Sequence, residues 1–384
     1  MPTNPDFTFA VIGRGMIGSA AARHLAKLGH SVALIGPGEP ADFSTHSGVF
    51  GSHYDEGRIT RVFDPDAKFW RDVNRASIAR YAEIAAESGV AFYRDVGVLH
   101  VGSRDDTNVE RVGEICDDEA IAYEVFEGAD LAARFPFLAE TTGKRGYFEP
   151  RNAGYISPRR LVHAQTLAAE RAGASIVDDF AVSLSEASHG VSIKTRSGSV
   201  AAERVLVAAG GHTQSLIGQS LNQNVYARTV ALFRLSAAQA RRLAGMPSMR
   251  CIGPEGNNPY ILPPIPYPDG NVWLKLGGDP VDVVLNDGAE IQRWFQSGGS
   301  VPVADRLQEM LCERIRDFTF EERRVVPCMT TYGDTGLPSI GPVSDRVAVA
   351  TGCYGKSAKC SDELGRLAAM ALLGECHEEL AARR

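Results

Sequence analysis

The apolar residues fall in short blocks, most of them closed by glycine. Phe7 to Ile12 is an apolar run too short for a helix, and it predicts a buried strand. Gly13-Arg14-Gly15-Met16-Ile17-Gly18 follows. From Ser19 to Leu28 the positions Ala20, Ala21, His24, Leu25 and Leu28 share one side, which predicts a helix ended by Gly29. Ser31 to Ile35 then predicts a second strand, so the chain opens on a strand, glycine loop, helix and strand. Residues 37–68 are rich in Gly, Pro, Ser, His and Asp and predict a long irregular stretch, of the kind that is usually functional.

Further on, the pattern predicts a helix over 69–88, a strand pair over 92–102 and a helix over 159–172. A strand–turn–strand is expected at 175–198, and Arg204 to Ala209 runs as a strand into Gly210-Gly211. Residues 221–320 differ in texture, with Pro259, Pro263, Pro264, Pro266 and Pro268 and a helix over 303–316. The α/β pattern returns with a strand at 347–352 and a helix from Ser361 to Leu373. There is no internal repeat and no low-complexity segment.

Composition narrows the class. The 384 residues are 44% hydrophobic and 23% charged, the balance of a folded globular chain rather than a disordered one. The net charge is −7 with the basic residues scattered, which argues against a nucleic-acid partner. No apolar run approaches the roughly 20 residues a bilayer needs, so no membrane partner is expected. The seven cysteines contain no CxxC or CxxH pair, so neither a metal site nor a disulfide framework is expected. With no presequence at the N-terminus, the expected location is the cytoplasm.

GxGxxG alone is a weak signal. Between a strand and a helix it gains physical meaning: the glycines allow backbone to approach a pyrophosphate, and the helix N-terminus favours its charge. The acidic residue expected at the end of the second strand is replaced by Gly36, leaving Glu39 or backbone groups to hold the ribose. The small-residue strand at 205–211 and the strand–Gly–helix at 347–373 place matching elements at both ends of the chain, which favours FAD over NAD.

Four segments together resemble the monomeric sarcosine oxidase family of FAD-dependent amine oxidases, within the D-amino-acid oxidase and glycine oxidase-like superfamily. They are the fingerprint, the loop Gly51-Ser52-His53 to Arg58-Ile59-Thr60-Arg61, the segment Val272-Trp273-Leu274-Lys275-Leu276-Gly277, and the stretch from Cys328-Met329 through Gly352-Cys353-Tyr354-Gly355-Lys356-Ser357-Ala358-Lys359. The resemblance implies an α/β protein with a Rossmann-type FAD domain and a sheet-rich α+β substrate domain, discontinuous in sequence. The expected segments are 1–86, 146–222 and 321–384 for FAD, and 87–145 and 223–320 for substrate.

It also implies roles. Cys328 would carry FAD as a thioether to the flavin 8α-methyl. Arg61 and Lys359 would clamp a substrate carboxylate. Arg58 would lie by the flavin, Lys275 would aid reaction with O2 near flavin N5, and His53 would be the loop histidine. Gly13, Gly15, Met16, Ile17, Gly18, Ser52, Arg58, Val182, Gly210, Cys328, Gly355 and Lys359 would bind the cofactor, with Tyr260 and Thr330 beside the substrate. Tyr332 and Tyr354 are further candidates for the pocket wall, and His212 reads as structural. A planar guanidinium suits a carboxylate because it donates two parallel charged hydrogen bonds.

Three positions depart from the sarcosine oxidases: Thr330 in place of Tyr, Asp279 in place of His, and Lys356-Ser357 in place of His-Gly. A secondary or cyclic amino acid larger or more polar than sarcosine is therefore expected, oxidised by hydride transfer with O2 as acceptor and hydrogen peroxide as product. The protein is expected to be a monomer. The alternatives are a dehydrogenase with another electron acceptor and a flavin-binding homologue without catalysis.

Overall fold

The structure, a computed structural model, describes residues 5–253 and 258–382. The expected segments therefore include residues 1–4, 254–257, 383 and 384, which lie outside it. Five strands form a parallel core in the order Val347–Thr351, Ser199–Val207, Phe7–Ile12, Val32–Ile35, Ser175–Val177. A strand sends alternate side chains to opposite faces, and here both faces are covered, so its residues read as a continuous apolar run. Phe9, Val11, Leu34 and Leu206 pack on the helices Met16–Lys27 and Ser357–Leu373. Ala10, Ile12, Ala33 and Val205 pack on the hairpin Ala181–Ala187 and Gly190–Thr195.

The second sheet runs in the order Val283–Val284, Asn224–Arg234, Val272–Gly277, Tyr260–Pro266, Ser248–Cys251, Val98–Ser103, Lys144–Glu149, Glu124–Glu127. Glu322–Tyr332 pairs antiparallel along the whole of Asn224–Arg234, from Asn224↔Tyr332 to Arg234↔Glu322. Lys144–Glu149, which straddles the boundary expected at 146, and Glu322–Tyr332, which lies past that expected at 321, both pair in this sheet. Leu274 and Leu276 face the helix Val301–Arg314 among Phe233, Leu307 and Leu311. The pleat therefore turns Lys275 to the other face, where it is fully buried. Among the described residues, no helix is long and apolar enough to cross a membrane.

Several local expectations shift. The helix over 69–88 is two helices, Lys68–Ala79 and Tyr81–Ser88, broken at Arg80. The Arg80 side chain there reaches Asp362 and Glu363 on the last helix. The strands within 92–102 do not pair with each other: Tyr93–Arg94 joins Gly154–Ile156, and Val98–Ser103 enters the large sheet. The chain turns between them at Gly97, whose φ of +76° suits only glycine. The last helix starts at Ser357 and has no side-chain cap, so the sequence carries no start signal for its first turn.

Candidate functional site

A cavity of about 800 Å³ extends from the glycine loop to the second sheet. Gly13, Arg14, Gly15, Met16 and Ile17 line one end, with Gly36, Pro37, Phe180, Ala181 and Gly210. Gly13 has φ of +111°, and a Cβ there would lie 2.3 Å from the Ala208 carbonyl oxygen. The helix that follows has no side chain capping its N-terminus and no acidic residue in its first turn. Its first N–H groups are left for an anionic ligand, so this end fits the pyrophosphate of a dinucleotide. Gly18 does not line the cavity. It packs against Gly13, where a Cβ would meet the carbonyl oxygen at 1.9 Å, so its part is to let helix and loop approach.

Glu39 is held by Arg159, with Nη2 to Oε1 at 2.7 Å, and does not line the cavity. Gly36 lies against the loop instead: a Cβ there would sit 2.4 Å from the Arg14 backbone nitrogen. Backbone groups and Arg14, itself paired to Asp178 at 2.7 Å, remain at the expected ribose position. Val182 also falls outside the cavity wall and is half exposed, at a point where the pairing of its strand shifts register between Ala181 and Ser183.

The middle of the cavity is walled by Ser52, His53, Tyr54, Arg58 and Cys328. Burial, then Arg159, Arg14 and Arg58, lower the His53 imidazole to about 3, so it is neutral at pH 7. Arg58 donates to the Asp55 carboxylate at 2.9 Å, the Ser52 carbonyl at 3.1 Å and the Cys328 Sγ at 3.3 Å. The Cys328 carbonyl accepts the Trp294 indole N–H at 2.8 Å. Lys275 does not line the cavity. Its Nζ is ion-paired to Asp55 and donates to the Gly57 carbonyl at 2.7 Å. Burial alone would raise the Asp55 carboxyl, but Lys275 and Arg58 outweigh it and hold it at about 2. Asp55 thus ties the buried lysine to the arginine that faces the cavity.

The far end holds Arg61, Asp64, Arg250, Tyr260, Asp279, Thr330, Tyr332, Tyr354, Gly355, Lys356, Ser357 and Lys359. The Arg61 Nε is buried without a partner, as is the Thr330 hydroxyl. Lys359 lies 3.7 Å from Asp64, and Lys356 lies 2.5 Å from the same carboxylate. Burial lowers the Lys359 ammonium to about 8; Asp64 opposes this and Arg61 adds to it. Asp279 accepts the backbone N–H groups of Thr229 at 2.8 Å and Val281 at 2.9 Å. All three departures noted in the sequence therefore line this one region. Asp55 and Asp64 were missed by sequence reasoning although each lies three residues from a singled-out arginine. Arg250 sits in a four-residue strand and carries no signal in the sequence.

Residues 8–371 match the model of the DAO family, described as FAD dependent oxidoreductase. The chain belongs to this family. It is an FAD-dependent oxidoreductase, with the glycine-loop end of the cavity suited to its cofactor. It is 25% identical over 388 residues to monomeric sarcosine oxidase from Bacillus sp. (strain B-0618), covering 97% of this chain and 94% of that protein. It is 27% identical over 214 residues to N-methyl-L-tryptophan oxidase from Yersinia pestis (strain Pestoides F), covering 55% of this chain and 56% of that protein. The fold is similar to that of NikD, an amino acid oxidase essential for nikkomycin biosynthesis. There the TM-score is 0.77 at 20% identity, with 99% of this chain and 98% of that one covered. It is also similar to glycine oxidase from Geobacillus kaustophilus, with a TM-score of 0.71 at 19% identity and coverage of 100% and 99%.

Proposed function

We propose that the protein is an oxidase of amino acids whose nitrogen is secondary or part of a ring. The observation that supports this most is the pair Arg61 and Lys359, two cations on one cavity wall. Arg61 has a buried N–H without a partner, so an incoming carboxylate offsets both charges. FAD, when bound, would accept a hydride from the carbon next to nitrogen and pass the electrons to O2, giving hydrogen peroxide and an imine that hydrolyses.

The chain's own part is positioning and charge. Arg61 and Lys359 hold the carboxylate, which fixes the direction of the neighbouring C–H bond. Arg58 presents a fixed positive charge to the middle of the cavity, and Asp55 with Lys275 behind it keeps that guanidinium in place. Thr330 replaces a bulkier tyrosine and Asp279 a basic histidine of the sarcosine oxidases, and Lys356-Ser357 replaces a His-Gly pair. Their polar atoms suit a substrate larger or more polar than sarcosine.

Cys328 is proposed to carry FAD covalently, since its sulfur lies in the cavity wall beside Arg58. Acid precipitation should then leave the yellow chromophore on the protein, and Cys328→Ser should release it to the supernatant. The activity is tested with a panel of N-methyl and cyclic amino acids. Flavin bleaching without air and peroxide release in air are expected together. Bleaching without peroxide would assign another electron acceptor, and no bleaching with any compound would end the proposal.

A further inference from the structure

The charges on the cavity wall can be paired off one by one. Arg14 has Asp178 at 2.7 Å, Arg58 has Asp55 at 2.9 Å, and Arg228 has Asp282 at 2.6 Å. Lys356 and Lys359 share Asp64 and Asp66. Two lining cations then remain, Arg61 and Arg250, and neither has an ion pair with a carboxylate among the described residues. Asp279 also lines the cavity, but its two oxygens accept backbone N–H groups.

Arg250 is placed by its strand. Ser248–Cys251 pairs Arg250 with Tyr260 on one side and His100 on the other. Tyr260 lines the same cavity, and the Arg250 guanidinium lies 5.9 Å from the Phe63 ring centroid. His100 is fully buried and bonded to Glu149 at 2.7 Å, and neither lines the cavity. Arg61 and Arg250 line the same cavity; burial and then repulsion from Arg61 lower the Arg250 guanidinium to about 10, with Asp64 and Asp66 opposing the shift. Lys359 already shares Asp64, so a single substrate carboxylate at Arg61 and Lys359 leaves Arg250 with no carboxylate within ion-pair distance, Asp64 and Asp66 attracting it only from farther off.

We propose that the substrate carries a second anionic group, a side-chain carboxylate, and that Arg250 recognises it. This rests on the carboxylate clamp proposed above. The substrate class then narrows to N-substituted or cyclic dicarboxylic amino acids. The second carboxylate is held at a wall contributed by the large sheet, away from the glycine loop.

Binding is tested without turnover, so that it stands apart from the oxidase activity. The holoenzyme is titrated calorimetrically at pH 7 with glutarate and with valerate, which share a five-carbon chain and differ by one carboxylate. Glutarate should bind at least about tenfold more tightly, the scale of an added charge-assisted hydrogen bond. Arg250→Met should reduce that ratio to about one, and Arg250→Lys should restore part of it. Equal affinities in the native enzyme would overturn the second anion. A ratio that survives Arg250→Met would overturn the assignment to Arg250. Flavin that no amine reduces, with the glutarate preference intact, would reject the oxidase reading and leave this one standing.

Discussion

Replacing Asp55 by Asn should destabilise the protein through a charge that lies outside the cavity. Lys275 is fully buried and Asp55 is 5% exposed. The carboxylate also holds Arg58 at 2.9 Å and accepts the Tyr267 hydroxyl at 2.8 Å. Asn keeps the volume and removes the charge, leaving Lys275 with the Gly57 carbonyl and the Tyr260 ring, 5.5 Å away, and no carboxylate. Breaking a buried pair from one side costs about 3–5 kcal/mol, because the other charge stays buried and uncompensated. At a melting entropy of about 0.8 kcal/mol/K for 384 residues, this lowers the Tm by about 4–6 °C.

Differential scanning calorimetry on the native protein, Asp55→Asn, Lys275→Met and the double variant, in one cofactor state, gives the cycle. The double variant should lie well above the sum of the singles, by about 1–3 kcal/mol, since both charges are then gone. The sign with pH follows from the depressed carboxyl. Its folded value of about 2 lies below the ordinary 3.8, so the contribution is full above about pH 4 and is lost as pH falls towards 2. Asp55→Asn should lack that acid component. A Tm loss under about 1 °C, or an additive double variant, would refute the buried pair as the support of Arg58.

Three further outcomes are expected. Lys359, with a free-site value near 8, is about nine-tenths protonated at pH 7 and one-tenth at pH 9. Valerate affinity in the holoenzyme should therefore fall about tenfold over that interval; a flat profile by titration would exclude Lys359 from the clamp. Gly36→Ala puts a Cβ 2.4 Å from the Arg14 backbone nitrogen, which should cost about 1–3 kcal/mol and weaken FAD retention. The check is the Tm together with flavin content after dialysis, and no change in either would contradict the close approach. Asp362 is buried and binds His24 at 3.1 Å, Gln165 at 2.9 Å and Arg23 at 3.3 Å as well as Arg80. Asp362→Ala should cost about 3–5 kcal/mol in urea unfolding, far more than an exposed carboxylate would.

Local pattern carried much of the architecture. The opening strand, helix and strand, the helix near 159–172 and the strand near 347 are each defined by a period of apolar positions and a glycine stop, so they are legible without partners. The same holds for residues whose motif is contiguous: Arg58, Arg61, Cys328 and Lys359 were singled out in sequence, and all line one cavity. Elements whose form depends on distant partners were not legible. The break falls at Arg80, whose side chain bonds carboxylates on the last helix, and Tyr93–Arg94 takes its partner from Gly154–Ile156.

The division within the site has the same cause. Residue types and spacing alone determined a dinucleotide loop, while the arginine-bearing loop and a cationic site in a chain of net charge −7 were what the resemblance to the sarcosine oxidases implied. Which charges stay free was decided by folding. Lys275, inside an apolar run, and Lys359, at the end of the segment Gly355 to Lys359, are both singled out in the sequence, yet one is tied to Asp55 behind the wall and the other faces the cavity. Asp64, Asp66 and Asp178 become counter-ions only once loops far apart in sequence meet. Charge neutralisation acts over a few ångströms in space and is blind to sequence distance, so the unpaired Arg61 and Arg250 emerge from the tertiary structure alone.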